Sequence, residues 1–200
     1  MRHRVLTLVF TALWLILGGE ALAGKPKTTT ATFAGGCFWC MTPPFEKLEG
    51  VLKVTAGYTD GTGANPTYED YAEKGYTEGV QITYDPTRIT YAQLLDTFWK
   101  QINPTDPNGQ FVDRGPQYRA AIFFHDTQQR KEAEKSRDDL NKSGRYDKPI
   151  VVPIKKYASF YPAEDYHQDY YKKNPIHYEL YHHGSGRDQY LDSVWGKGKH

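Results

Sequence analysis

Residues 30–40 read Thr30-Ala31-Thr32-Phe33-Ala34-Gly35-Gly36-Cys37-Phe38-Trp39-Cys40: a strand-like run, two glycines, and two cysteines three positions apart. The glycines free the backbone for a sharp strand-to-helix turn, which places Cys37 at a helix N-terminus. There the unpaired N–H groups and the helix dipole favour a thiolate, the nucleophilic form of cysteine. Cys40 lies at i+3 on the same helical face, close enough for a disulfide with Cys37 after a modest backbone adjustment. These are the only two cysteines in the 200-residue chain. A nucleophile with a built-in partner points to redox turnover.

Outward from this turn, the helix continues through Phe45 to Leu48 and Gly50 ends it. Pro43 and Pro44 are tolerable only near a first turn, so a break or restart is expected there. Val51 to Tyr58 and Gly79 to Tyr84 read as strands, and Thr90 to Gln101 as an amphipathic helix capped by Thr90. Ala120 to Phe124 reads as a buried strand, Thr127 to Leu140 as a charged surface helix and Ile150 to Ile154 as another strand. Ala163 to Lys172 gives a final helix, followed by a polar tail to His200. The order strand, helix, strand, strand, helix, strand predicts an α+β fold of the split βαβ (ferredoxin-like) plait kind, elaborated at its C-terminal end.

Residues 1–23 are a separate object. Arg2, His3 and Arg4 give a basic start, Val5 to Leu17 is apolar, and Ala21-Leu22-Ala23 supplies the small residues a signal peptidase reads. The apolar run is shorter than a spanning helix needs. A cleaved secretory signal is therefore expected, with an exported, periplasmic or secreted protein as the product and no stable membrane association. Residues 24–30 read as a flexible lead, with one catalytic domain over 31–200. Without residues 1–23, basic and acidic side chains balance at 23 each, which argues against nucleic-acid binding. A monomer is expected. The Cys-x-x-Cys loop closes too little chain to be an effective structural staple, whereas reversible opening suits it. Two cysteines without a second matched pair do not complete a tetrahedral zinc site, so no metal is expected.

Several further segments stand out: Gly57-Tyr58, Asn65-Pro66-Thr67-Tyr68, Glu78-Gly79-Val80 leading to Tyr84-Asp85-Pro86, Asp113-Arg114-Gly115-Pro116-Gln117-Tyr118-Arg119, and Ala163-Glu164-Asp165-Tyr166-His167-Gln168. With Gly36-Cys37-Phe38-Trp39 they resemble, in order, the motifs of the A-type peptide methionine sulfoxide reductases over roughly residues 31–175. The resemblance implies a two-layer α+β sandwich with a mixed sheet, and the thiol-dependent reduction of methionine S-sulfoxide, free or protein-bound. Cys37 matches the family's nucleophile and Glu78 its catalytic acid. Tyr68 and Tyr118 match the tyrosines that hydrogen-bond the sulfoxide oxygen, and Asp113 matches a site aspartate. Phe38 and Trp39, beside the nucleophile, are expected to wall an apolar pocket for the S-methyl group.

Sulfoxide reduction needs a nucleophile on sulfur and a proton on oxygen, because oxide leaves poorly unless it is protonated. Glu78 would supply that proton, and Cys37 would pass to a sulfenic acid. Many family members carry glycine at the position of Cys40 and resolving cysteines near the C-terminus. No cysteine follows Pro175 here, so the resolving role falls to Cys40 or to an external thiol, and Cys40 is the simpler expectation. The resulting disulfide would be reopened by a thioredoxin-type dithiol, with no bound cofactor. Gly75-Tyr76-Thr77 replaces the family's Gly-His-Ala ahead of Glu78, which alters the acid's surroundings. His167 is expected to brace the late helix against the site. The alternative reading is a thiol-disulfide exchange protein using the Cys-x-x-Cys pair, and it leaves Glu78 without a role.

Overall fold

Strand β1 (Thr29–Ala34) lies inside a six-stranded sheet and carries the chain straight into the Gly35-Gly36 turn. A computed structural model describes residues 28–200; the expected signal segment and most of the expected lead lie outside the described residues. The turn opens helix α1 (Phe38–Glu46), which returns the chain to β2 (Val51–Thr59) and its hairpin partner β3 (Thr77–Tyr84). Helix α2 (Tyr91–Trp99) follows, capped by Thr90, whose hydroxyl accepts the Gln93 N–H while the Gln93 side chain accepts the Thr90 N–H. A two-residue ribbon, β4 (Gly109–Gln110) with β5 (Asp113–Arg114), precedes β6 (Ala121–Phe124), helix α3 (Thr127–Lys142), β7 (Ile154–Lys156) and β8 (Phe160–Pro162).

The sheet order is β7-β6-β1-β3-β2-β8, with every pairing antiparallel except the parallel β6 and β7. Its four central strands, with α1 and α2, are the expected βαββαβ plait, and β7 and β8 extend it at both edges. Phe33 in β1 anchors the helical layer: its ring stacks on Phe45 of α1 at 5.6 Å and on Phe98 of α2 at 5.0 Å. All three rings are excluded from solvent, each contributing about 1.5–3 kcal/mol of apolar burial.

Three local expectations are corrected. Helix α1 runs unbroken through Pro43 and Pro44. The two prolines remove the amide donors that would reach the carbonyls of Trp39 and Cys40, but Phe45, next along the helix, is buried against Phe33 of β1, so packing holds the geometry. The strand expected over Ile150–Ile154 begins only at Ile154, because Ile122 pairs there and Ile150 to Pro153 form a connection. The expected helix over Ala163–Lys172 is mostly turn and becomes helical only at its end, in α4 (Tyr170–Lys173), and the expected polar tail folds into α5 (Pro175–Gly184) and α6 (Arg187–Trp195). Its buried residues are Tyr178, Ser185, Arg187 and Leu191, too sparse and too mixed to register as an apolar periodicity.

Candidate active site

The turn between β1 and α1 is shaped for close approach. Gly36 has φ of +83°, and a Cβ there would lie 2.7 Å from Gln110 Cβ; a Cβ on Gly35 would lie 2.5 Å from the Met41 thioether. Only glycine satisfies both the dihedral and the space. Cys37 is the N-cap residue of α1, and its carbonyl accepts the amides of Cys40 at 3.1 Å and Met41 at 3.3 Å.

Glu78 reaches the same helix end from β3, where it stands opposite Tyr58 in the β2 register. One carboxyl oxygen accepts the Phe38 N–H at 3.0 Å, satisfying one of the helix's otherwise unpaired amides, and the other accepts the Tyr71 hydroxyl at 2.8 Å. Glu78 is only 2% exposed. Burial raises its pKa to about 7 against the pull of the Phe38 and Tyr71 bonds, with the charge of Asp113 adding to the rise. Near neutral pH this carboxyl is divided between acid and carboxylate, which suits a group that must give up a proton.

The two thiols are free, buried and adjacent. Cys37 is 6% exposed, and its thiol is pushed well above the ordinary value by burial, then by Cys40 and Glu78, with the Tyr181 hydroxyl opposing the rise. This differs from the thiolate expected of a helix N-terminus, because desolvation and two acidic neighbours outweigh a helix end whose first amide already serves Glu78. Cys40 is drawn downward by its hydrogen bond with Cys37, with the positive charge of Arg187 also contributing. In this resting state the pair's ionisation is biased toward Cys40.

Around the sulfurs the structure gathers the remaining residues expected from the motifs, through links the motifs did not contain. Tyr118 reaches Glu78 through Tyr71, whose hydroxyl it meets. Tyr68 stays 40% exposed, with its ring 5.8 Å from that of Tyr71 and 4.5 Å from His167. Asp113 accepts the Tyr181 hydroxyl at 2.6 Å, which connects the β4–β5 ribbon to α5 at the sulfurs.

Phe38 and Trp39 divide the role expected of both. Phe38 turns into the core against Tyr58 and His167, because as the first residue of α1 it points beneath the helix rather than outward. Trp39 remains half-buried, donating from Nε1 to His167 Nδ1 at 3.0 Å, and Tyr170 stacks flat on it at 3.8 Å. His167 is thus a brace, as expected, and burial lowers its pKa and holds it neutral. Tyr71, Tyr181 and Arg187 escaped sequence reasoning. The tyrosines at 170, 171, 178 and 181 recur at helical spacing and carried a usable signal; Arg187 carried none. Among the described residues no cluster of three His, Cys, Asp or Glu side chains could hold a metal ion.

The profile of the family described as peptide methionine sulfoxide reductase matches residues 29–199. The peptide methionine sulfoxide reductase MsrA of Bacillus pumilus is 55% identical over 171 residues, covering 84% of this chain and 96% of the relative. Among solved structures, reduced Mxr1 from Saccharomyces cerevisiae superposes with a TM-score of 0.70 at 30% identity, over 76% of this chain and 88% of that one. Methionine sulfoxide reductase A of Corynebacterium diphtheriae gives 0.67 at 32% identity, over 76% and 78%. Mxr1 has also been solved in complex with Trx2; that chain gives 0.53 at 25% identity, over 74% and 87%. With its plait, its Cys37–Glu78 helix end and these relatives in agreement, the chain belongs to the peptide methionine sulfoxide reductase family, oxidoreductases that return methionine sulfoxide to methionine.

Proposed function

We propose that the protein reduces the S-epimer of methionine sulfoxide, free or in oxidised proteins, by a two-cysteine cycle. The carrying observation is the joint at the start of α1, where a buried carboxyl with a pKa of about 7 bonds the amide that follows Cys37. Cys37 Sγ attacks the sulfoxide sulfur while Glu78 delivers a proton to the departing oxygen. Tyr118 and Tyr68 flank that oxygen and donate to it without ionising, since burial holds both phenols above their ordinary values. Asp113 and the Tyr181 hydroxyl bonded to it lie beside the two sulfurs. Methionine leaves, Cys37 is left as a sulfenic acid, and Cys40 displaces hydroxide from it to form the disulfide. A thioredoxin-type dithiol then reopens the pair, a reading supported by the Trx2 complex of the yeast relative. The basic start, apolar run and Ala21-Leu22-Ala23 support export to an extracytoplasmic compartment, where that dithiol would itself have to be resupplied with electrons.

The test is a single turnover: pre-reduced protein with excess methionine S-sulfoxide and no reductant, counting methionine formed and thiols remaining per chain. One methionine with no thiols left supports the cycle. One methionine with one thiol left keeps the reductase but removes Cys40 from the resolving step. No methionine with both thiols intact overturns the reading.

A further inference from the structure

Arg187, the first residue of α6, is the largest fully buried side chain of the described residues and is only 1% exposed. Its guanidinium packs on the active-site turn: Nη1 donates to the Gln101 carbonyl, Nη2 donates to the Gly35 carbonyl at 3.2 Å, and the Met41 sulfur lies 3.8 Å from Nη1. The Phe111 ring covers the group at 4.6 Å from its central carbon. Among the described residues Nε has no hydrogen-bond partner and the guanidinium makes no ion pair; the neighbouring Asp188 faces His182 instead. A permanent cation buried among carbonyls, a thioether and an aromatic face is costly without an anion. Gly35 and Met41, which it contacts, bracket Cys37 and Cys40 in the sequence.

We propose that Arg187 is a positioning residue for the resolving step, whose buried guanidinium serves as the counter-ion of the Cys40 thiolate. This rests on the reading of Cys40 as the resolving cysteine. In that step the Cys40 thiolate attacks the sulfenyl sulfur of Cys37: the S–S bond forms, the S–O bond breaks, and hydroxide leaves as water after taking a proton from solvent. Cys40 sulfur is oxidised, Cys37 sulfur is reduced, and no further oxidant enters. Once Cys37 carries oxygen its thiol no longer donates to Cys40, and the fixed charge of Arg187 is what continues to favour the anion. The other charged or titratable groups facing Cys40 are Cys37 at the N-cap of α1, Asp113 on β5, Tyr178 and Tyr181 on α5 and Asp188 on α6. Both aspartates oppose the thiolate, so Arg187 is its only cationic support among them.

The experiment compares the full chain with Arg187→Met and Arg187→Lys by rapid quench between pH 5.5 and 9, reading the methionine burst and the loss of thiols separately. In Arg187→Met the burst is expected within about threefold of wild type, while disulfide formation at pH 7 slows about tenfold or more and its pH midpoint moves up by about one unit or more. Arg187→Lys, which keeps the charge, is expected to recover most of the rate at the wild-type midpoint. Equal slowing of both steps with an unmoved midpoint overturns the proposal and reduces Arg187 to a structural strut. Should Arg187→Met fail to fold, thiolate absorbance of Cys37→Ser with Arg187 intact decides the matter: titration of Cys40 below the ordinary thiol range supports the proposal, and titration at or above it overturns it. If wild type makes one methionine and retains one thiol at every pH, the resolving role of Cys40 has failed, and the proposal falls with it for that separate reason.

Discussion

Replacing Glu78 by glutamine should stabilise the protein at alkaline pH while abolishing its chemistry. The carboxyl titrates near 7 in the folded chain, against an ordinary value of 4.5. Between these values the folded state holds a proton that the unfolded state has released, so stability falls as pH rises from 4.5 and the loss is complete above 7. The rise from 4.5 to about 7 corresponds to about 3 kcal/mol at about 1.36 kcal/mol per pH unit, and Glu78 is buried almost completely, so solvent screens it little. Glutamine reproduces the neutral acid: its oxygen can accept the Phe38 amide and its nitrogen can donate to the Tyr71 hydroxyl oxygen, which turns from donor to acceptor. Urea unfolding under excess reductant, at pH 4.5 and pH 8.5, gives the comparison. The variant should gain about 2–3 kcal/mol on wild type between the two pH values, while its single turnover yields no methionine at either. A difference between the two proteins that does not change with pH would refute the raised carboxyl, and with it the account of Glu78 as a proton donor poised at neutrality.

Other changes read different parts of the site. Tyr181→Phe removes the hydroxyl that lowers the Cys37 thiol and satisfies Asp113, so alkylation of Cys37 by iodoacetamide at pH 8 should slow several-fold with the folded spectrum unchanged. Gly36→Ala places a Cβ in the left-handed region and 2.7 Å from the buried Gln110 Cβ; a loss of about 2–4 kcal/mol in urea unfolding is expected, together with a slower methionine burst. Cys40→Ser should still release one methionine per chain and leave a sulfenic acid on Cys37 that dimedone traps, whereas thioredoxin-supported turnover should be lost.

The amino-acid sequence determined the plait and the chemistry on its central turn, because both depend on neighbours along the chain. Gly35-Gly36 dictates the turn into α1, Thr90 and Gln93 dictate the start of α2, and Cys37 and Cys40 share a helical face through their spacing alone. The motifs likewise marked Glu78, Tyr68, Tyr118 and Asp113 as site residues. What they could not supply was ionisation, since a pKa is set by burial and by charges distant in sequence. Only the tertiary structure sets the Cys37 thiol high, draws Cys40 low and holds Glu78 near neutrality. The C-terminal region was the least legible part. The stretch after Lys172 reads as a polar tail because its helices bury few residues against the domain, yet α4 to α6 bring Tyr170 onto Trp39, Tyr181 onto Asp113 and the Arg187 charge beneath the active-site turn. Those contacts span 68 to 152 positions of sequence, a separation at which no local pattern carries information and only the packed chain decides which side chains meet.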